Sequence, residues 1–231
     1  MQAIVVGASG GIGAAFCRHL SASGAQVHAL SRRPPDAPHD RWQPLDLEAP
    51  DTIAAALAAL ALDKPVDRLW VATGMLHDAH QQPERALKQL NAAALTRSFA
   101  INAVGPALVL AAVAPHLAPD ARAAALSARV GSISDNRLGG WYGYRASKAA
   151  LNQLWRTAAI ELARTRPAAV CVTMHPGTVA TGMSAPFQRG VPTEQLFDAD
   201  RAAHQLIEVL DDLSPTDSGG CFDWSGAAIP F

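Results

Sequence analysis

The sequence predicts an α/β protein: one doubly wound domain, residues 1–231, on a parallel sheet of about seven strands with helices on both faces. Three observations lead to this prediction. Short β-rich runs alternate with longer, alanine-rich runs of helical period. A glycine-rich turn directly follows the first strand and opens the first helix. The 231 residues, 49% of them apolar, are enough for one sizeable core, and no linker or internal repeat divides them.

Seven short apolar runs are the predicted strands. In chain order they are 3–6, 25–30, 41–47, 67–74, 122–127, 168–177 and 219–224, with a polar, proline-rich turn over 31–40. The run 122–127, RAAALS, is the weakest because alanine is a poor strand former. Apolar residues at helical spacing predict helices over 12–23, 50–62, 91–117, 145–164 and 198–213. Strand and helix in alternation favour a parallel sheet.

Composition and charge exclude several classes of protein. The formal net charge is −1 and the basic residues are scattered, which argues against binding to nucleic acid or to an anionic membrane surface. We find no apolar run near the roughly 20 residues that span a bilayer, so no membrane segment is expected. Three cysteines without a CxxC pair favour a reducing compartment. The first residues form a strand and a glycine turn without a leader pattern, so we expect a cytoplasmic protein.

The glycine turn VVGASGGIG indicates a dinucleotide site. Gly7, Gly11 and Gly13 lie between the first strand and the first helix. Glycines there allow a tight turn and let a pyrophosphate approach the free N–H groups of the helix N-terminus. A turn used only for packing remains the alternative.

The end of the second strand favours NADP(H) over NAD(H). NAD sites place an acidic side chain there to hold the ribose 2′-hydroxyl. This chain has Ser31, Arg32 and Arg33 instead, and an arginine fork suits a 2′-phosphate. The alternative is that both arginines form only a solvated loop pair.

Tyr144 and Lys148 are candidates for acid–base chemistry. They are four residues apart, so on a helix they share one face. We expect the Lys148 ammonium to lower the pKa of the Tyr144 phenol, so that the phenol can exchange a proton with a carbonyl or alcohol oxygen. Tyr142, the other tyrosine, is expected to line the pocket wall.

Together these motifs resemble the short-chain dehydrogenase/reductase family over 3–231, closest to its C-factor-like subgroup, which includes carbonyl reductases and a protein associated with intercellular signalling. The resemblance implies a Rossmann-like fold and a homo-oligomer, dimer or tetramer. GASGGIG, LDL, VATG, INAVGPA, YRASK and HPGTVAT match its motifs, although VATG keeps only the final glycine strictly. The resemblance implies a set of cofactor-binding residues, to which Ser31, Arg32 and Arg33 are added from the end of the second strand. The full set is Gly7, Ser9, Gly11, Ile12, Gly13, Ser31, Arg32, Arg33, Asp46, Leu47, Ala72, Thr73, Gly74, Lys148, Pro176, Gly177, Val179 and Thr181.

The resemblance implies a catalytic set of tyrosine, lysine, asparagine and serine. Tyr144, Lys148 and Asn102 match, but the usual serine position is Ala128. We favour Ser132, twelve residues before Tyr144, with Ser127 and Ser134 as alternatives; strand alternation should turn Ser127 away from the face of position 128. A water molecule or Asn136 in place of any serine also stays open.

Two functions follow from the resemblance. The first is an NADP-dependent oxidoreductase that transfers a hydride between NADPH and an aldehyde, ketone or alcohol. The second is a C-factor-like signalling or regulatory protein that binds the dinucleotide with little or no turnover. A substrate loop over 182–196 carries Met183, Phe187 and Val191, which favours an apolar substrate. His77 and His80 have no third ligand at sensible spacing, so no metal site is expected.

Overall fold

The computed structural model describes residues 1–37, 39, 41–60 and 62–231. Pro38 and Asp40, in the predicted proline-rich turn, and Ala61, in the predicted second helix, lie outside the described residues. The strands are β1 Gln2–Val6, β2 Gln26–Ser31, β3 Trp42–Pro44, β4 Val66–Val71, β5 Leu117–Leu126, β6 Val170–His175, β7 Thr178–Val179, β8 Leu196–Phe197 and β9 Cys221–Asp223. The α-helices are α1 Gly11–Ala22, α2 Asp51–Ala58, α3 Ala92–Phe99, α4 Gly105–Val113, α5 Tyr142–Leu162 and α6 Ala199–Asp212.

Seven of these strands form one parallel sheet in the order β3-β2-β1-β4-β5-β6-β9. The predicted fold class is therefore confirmed. The strand order reverses between β1 and β4, where Val6 pairs with Val71. Such a reversal leaves a crevice at the carboxyl ends of the strands, where this class of fold binds its ligands.

Both faces of the sheet are covered, which explains why β1 is buried along its whole length. Side chains alternate between the faces of a strand, so Ile4 and Val6 enter one core cluster while Ala3 and Val5 enter the other. Helices therefore pack on both faces of the sheet, and the site lies at the carboxyl edge of this packed core.

The predicted helix 91–117 is less regular than expected. A π-helical turn, Ala100–Val104, separates α3 from α4, and Leu117 already belongs to β5. Pro106 has no amide hydrogen and cannot complete the α-helical hydrogen bond to the Asn102 carbonyl, which is the reason the regular pattern fails here. Turns of this kind often occur at functional sites.

The same helical run passes a simple test for a membrane span. Ala92–His116 is long and apolar enough by length and composition alone, since an 18-residue window within it has a mean hydropathy of 1.7. Our expectation that no apolar run has the required length is wrong. In the fold, Val109, Leu110 and Val113 of this run are buried in the core of the domain. The cytoplasmic location stays a prediction.

A second, two-stranded parallel sheet was not predicted. It pairs β7 with β8 through Thr178–Leu196 and Val179–Phe197. Two residues a strand give almost no periodicity to read, so the sequence carries no clear signal for it. The pairing closes both ends of the segment that contains most of the predicted substrate loop.

Candidate active site

A cavity of about 420 Å³ opens at the carboxyl ends of the strands. It follows the crevice from β2, past β1 and β4, to the start of α5. The predicted site residues in its wall are Gly7, Ser9, Gly11, Ile12, Ser31, Arg32, Asp46, Leu47, Ala72, Thr73, Gly74, Tyr144, Lys148, Pro176 and Thr181. Residues 126, 127, 182 and 183 also line it. The cavity therefore joins the predicted dinucleotide residues to the predicted acid–base pair.

The glycine turn has the geometry that its motif implies. Gly7 has φ +91°, and a Cβ on Gly13 would lie 2.1 Å from the Gly7 carbonyl oxygen. Gly13 itself is buried against this carbonyl, outside the cavity wall, so it sets the approach of α1 to β1. No side chain caps α1. Its first N–H groups are therefore available to an anion, which fits a pyrophosphate.

The end of β2 offers one arginine to the cavity. The Arg32 side chain is 65% exposed, and its Nη1 lies 3.9 Å from Oε2 of Glu48. Arg33 is exposed outside the cavity wall, and its carbonyl accepts a hydrogen bond from the Ser31 hydroxyl at 2.6 Å. The two arginines predicted together thus have different surroundings.

An ion-pair bridge that the sequence analysis missed lies on the same side of the cavity. Arg97 Nε donates to Glu48 Oε1 at 2.7 Å, and Arg97 Nη1 pairs with Asp78. The hydrogen bonds to Glu48 and Asp78 raise the pKa of Arg97. The hydrogen bond from Arg97 is the largest cause that lowers the pKa of Asp78. Because the partners are 49 and 19 residues apart, only the fold brings them together.

The end of β4 provides an unfilled polar position. Thr73 Oγ1 is buried and has no hydrogen-bond partner among the described residues. A Cβ on Gly74 would lie 3.4 Å from Lys148 Nζ and 3.7 Å from Asn102 Oδ1. Glycine at this position therefore keeps a narrow passage open between the dinucleotide part of the cavity and the acid–base pair. The orphaned hydroxyl and this passage fit a bound dinucleotide.

Asn102 is fully buried in the π-helical turn, behind the cavity wall. Its Oδ1 accepts from the Met75 N–H at 2.7 Å, and its Nδ2 donates to the Met75 carbonyl at 2.8 Å and to Ser147 Oγ at 3.0 Å. The Ser147 hydroxyl in turn donates to the Tyr144 carbonyl at 2.9 Å. Asn102 thus links the end of β4 to the first turns of α5.

Tyr144 and Lys148 share one face of α5, as predicted. Lys148 Nζ lies 5.8 Å from the centre of the Tyr144 ring and donates to the Leu126 carbonyl at 2.7 Å. Burial raises the pKa of the Tyr144 phenol to about 12 and lowers the pKa of Lys148 to about 7. The prediction that Lys148 lowers the pKa of Tyr144 is therefore wrong: desolvation dominates at both groups. The phenol keeps its proton at neutral pH.

The serine predictions meet a different geometry. Ser127 lines the cavity, and its hydroxyl donates to Asn152 Oδ1 at 2.7 Å. Ser132 is buried outside the cavity wall, where its hydroxyl accepts from the Asp135 N–H at 3.2 Å. Ser134 donates to the Phe231 carbonyl at 2.6 Å and is exposed. β5 ends at Leu126, before either serine, so strand alternation does not decide which of the two hydroxyls faces the cavity.

Pro176 and Gly177 form the Pro-Gly turn that follows β6. Gly177 has φ +77°, and a Cβ there would lie 2.8 Å from the Phe197 ring. Val179 is buried in β7 and, like Gly177, lies outside the cavity wall, whereas Pro176 and Thr181 line it. A Cβ on Gly11 would lie 3.0 Å from the Thr181 methyl group. The turn and the start of α1 therefore close one side of the cavity together.

Aromatic side chains join the predicted substrate loop to α5. The Phe187 ring packs edge-on against Trp141 at 5.0 Å and against His77 at 5.5 Å. His77 Nε2 also hydrogen-bonds the Met183 carbonyl at 2.9 Å. These contacts place His77 and Trp141 beside the substrate loop.

His175, immediately before the Pro-Gly turn, is near the charged side chains of Arg129 and Asp223. Burial lowers its pKa to about 4, and the nearby charge of Arg129 acts in the same direction. The ring is therefore neutral at physiological pH.

Among the described residues, no three His, Cys, Asp or Glu side chains cluster in a way that could hold a metal ion. The absence of a metal in the reaction stays a prediction.

Comparison with known families agrees with this geometry. The family model for the short chain dehydrogenases matches residues 1–191. The chain belongs to this family. It is 38% identical to the C-signal of Myxococcus xanthus over 149 residues, which are 63% of this chain and 84% of that protein.

Solved structures share the whole fold. The NADPH-bound carbonyl reductase from chicken fatty liver superposes with a TM-score of 0.82 and 25% identity, over 100% of this chain and 98% of that one. A short-chain dehydrogenase/reductase from Burkholderia multivorans with bound NADP gives a TM-score of 0.80 and 25% identity, over 100% and 99% of the two chains. This protein is thus an oxidoreductase of the CH–OH/C=O type with a dinucleotide site.

Proposed function

We propose that this protein is an NADPH-dependent reductase of small, apolar aldehydes or ketones, with residues 1–231 acting as one catalytic unit. The observation that carries the proposal is the single cavity that joins the glycine turn and Arg32 to Tyr144 and Lys148. The relatives with bound NADPH and NADP support the choice of cofactor. Exposed Arg32, with no acidic residue at the end of β2, supports it independently.

The residues lining the cavity would hold the cofactor at several points. The free N–H groups of α1 suit the pyrophosphate, Arg32 suits the 2′-phosphate, and the Asp46–Leu47 segment suits the adenine. Thr73 Oγ1, which has no hydrogen-bond partner among the described residues, and Lys148, which lines the same cavity, would hold the nicotinamide end. A bound reduced nicotinamide supplies the hydride.

Tyr144 acts as the proton donor to the carbonyl oxygen. Its raised pKa keeps the phenol protonated, which suits reduction because the nascent alkoxide needs a proton. The Leu126 carbonyl accepts a hydrogen bond from Lys148 and holds it in place. Asn102 is held in the same way by hydrogen bonds to Met75 and Ser147. We propose that Asn102 supports the proton path to Tyr144 from behind the cavity wall.

A serine hydroxyl is proposed to polarise the substrate carbonyl. The cavity supports Ser127, because this serine shares the wall with Tyr144. Ser132, the first choice from sequence, would need to move its hydroxyl out of the hydrogen bond with Asp135. Single-turnover rates of Ser127→Ala and Ser132→Ala distinguish the two assignments.

The substrate end favours apolar compounds. Met183 lines the cavity. Phe187, in the loop between β7 and β8, packs against Trp141.

Exposed apolar side chains on α4 and α5, including Leu108, Leu154 and Ile160, support a homo-oligomer.

A signalling role is the second candidate, and the likeness to the C-signal favours it. It requires dinucleotide binding but little turnover. One screen separates the two functions: NADPH consumption with a panel of aldehydes, ketones and quinones, measured for the wild type and for Tyr144→Phe. Turnover that depends on Tyr144 supports the reductase; NADPH binding without any turnover supports the signalling role.

A further inference from the structure

The helix that carries Tyr144 begins in an unusual turn. Gly139, Gly140 and Trp141 have φ angles of 64°, 67° and 51°, and Trp141 is the one non-glycine residue with positive φ among the described residues. A bulky side chain disfavours this left-handed conformation. Such a residue keeps it only where the surrounding structure holds it in place.

Glu84, from the segment between β4 and α3, makes two of the contacts that hold this turn, and Arg145 Nε also donates to the Gly140 carbonyl at 3.0 Å. Its backbone carbonyl accepts from the Trp141 N–H at 2.5 Å. Its carboxylate Oε2 accepts from the Gly143 N–H at 3.1 Å. The residue at the start of α5 offers no capping side chain of its own. Glu84 therefore caps α5 from a distant part of the chain, through the N–H groups of Trp141 and Gly143.

The choice of glutamate for this position is costly. Glu84 is only 5% exposed, and among the described residues it forms no ion pair; its Oε1 has no hydrogen-bond partner there. A buried, incompletely bonded carboxylate costs free energy, whereas a serine or asparagine beside the helix would cap it more simply. A Cβ on Gly143 would lie 3.0 Å from Oε1, so the glycine is matched to this carboxylate.

The turn lies between the acid–base residue and the substrate loop. The Trp141 ring packs edge-on against the Tyr144 ring at 6.3 Å and against Phe187 at 5.0 Å. We propose that Glu84 is a positioning residue, which holds the Trp141 turn and the first turn of α5 and thereby sets the direction of the Tyr144 phenol. Glu84 acts through these contacts and does not itself touch the substrate.

The kinetic test rests on the proposed reductase function. Glu84→Ala should lower kcat about tenfold or more, because small displacements of a reacting group have large effects on rate, and should leave the Kd of NADPH within about twofold. Glu84→Asp, which keeps a carboxyl group but shortens the reach to Gly143, should also lower kcat. Glu84→Gln keeps an acceptor oxygen at the same distance and should recover most of the rate.

Asn91→Ala is the matched control, because Asn91 caps α3 through the Ala94 N–H at 3.1 Å and lies outside the cavity wall. It should keep wild-type kcat. The proposal is overturned if Glu84→Ala and Glu84→Asp keep wild-type kcat and KM, or if Asn91→Ala loses as much. Should Glu84→Ala fail to fold, Glu84→Asp and Glu84→Gln decide the question.

A second readout does not depend on turnover. The chain has five tryptophans, so ¹⁵N-labelled indole signals can be assigned with Trp141→Phe. The Trp141 signal should shift or broaden in Glu84→Asp and stay close to its wild-type position in Glu84→Gln. If the wild type reduces no carbonyl compound, the proposed function fails while this spectrum still tests Glu84. An unchanged Trp141 signal in Glu84→Asp would overturn the proposal by itself.

Discussion

Replacement of Lys148 by methionine should change how stability depends on pH. Burial lowers the pKa of Lys148 from 10.5 to about 7 in the folded chain. Between these values the unfolded chain holds a proton that the folded chain does not, so the free energy of unfolding rises with pH in that window. Below about pH 7 both states are protonated and the contribution is constant. Lys148→Met removes the effect, because methionine does not titrate.

The size of the effect follows from the shift. One pKa unit corresponds to about 1.4 kcal/mol. Between about pH 7 and about pH 9 the wild type should gain about 2 kcal/mol of unfolding free energy relative to Lys148→Met. The difference between the two proteins cancels the titration of the other groups that they share.

Urea unfolding at a series of pH values measures this difference directly. Lys88→Met is the matched control, since Lys88 is exposed and its removal should leave the slope with pH unchanged. A wild-type minus Lys148→Met difference that stays constant, within about 0.5 kcal/mol, from about pH 6 to about pH 9 would refute the reasoning. The lysine would then be charged in the folded protein.

Three further predictions concern the cavity. Gly13→Ala should weaken NADPH binding by about tenfold or more and lower Tm, because its Cβ would meet the Gly7 carbonyl oxygen at 2.1 Å; calorimetric titration showing an unchanged Kd would contradict this. Arg32→Ala should weaken NADPH binding by about 1.5–3 kcal/mol and leave NADH binding nearly unchanged, and equal affinity of the wild type for both cofactors would count against the assignment. Ser127→Ala should lower kcat on the order of 10²-fold, whereas Ser132→Ala should have little effect; single-turnover rates with the opposite order would restore Ser132 to the role.

Local patterns carried much of the fold. Alternating strand and helix predicted the parallel sheet, and the glycine turn located the crevice, because both depend on neighbouring residues. The irregular turn at Asn102 could have been expected from Pro106, four residues later, which removes an α-helical hydrogen bond. Pro106 lies within a long apolar run, which we interpreted as one continuous helix.

Other parts of the site depend on contacts that no local pattern reports. Glu84 meets Gly143 across 59 positions of sequence, and Arg97 meets Glu48 across 49. The pKa prediction for Tyr144 considered only the neighbouring charge, since the extent of desolvation is a property of the folded core. The direction of the Ser127 side chain could not be predicted from strand alternation either, because β5 ends one residue earlier, at Leu126.

The central claim is that this site delivers a hydride to a carbonyl carbon while Tyr144 supplies the proton. Single-turnover reduction with NADPH that carries deuterium at both C4 positions tests it most directly, with the product examined by mass spectrometry. The wild type should place deuterium on the carbinol carbon. Tyr144→Phe should lower the rate about 10²-fold or more. Tyr142→Phe should keep the rate, because Tyr142, which we expected in the pocket wall, lies outside the cavity wall. Wild-type product without deuterium, or full activity in Tyr144→Phe, would contradict the account.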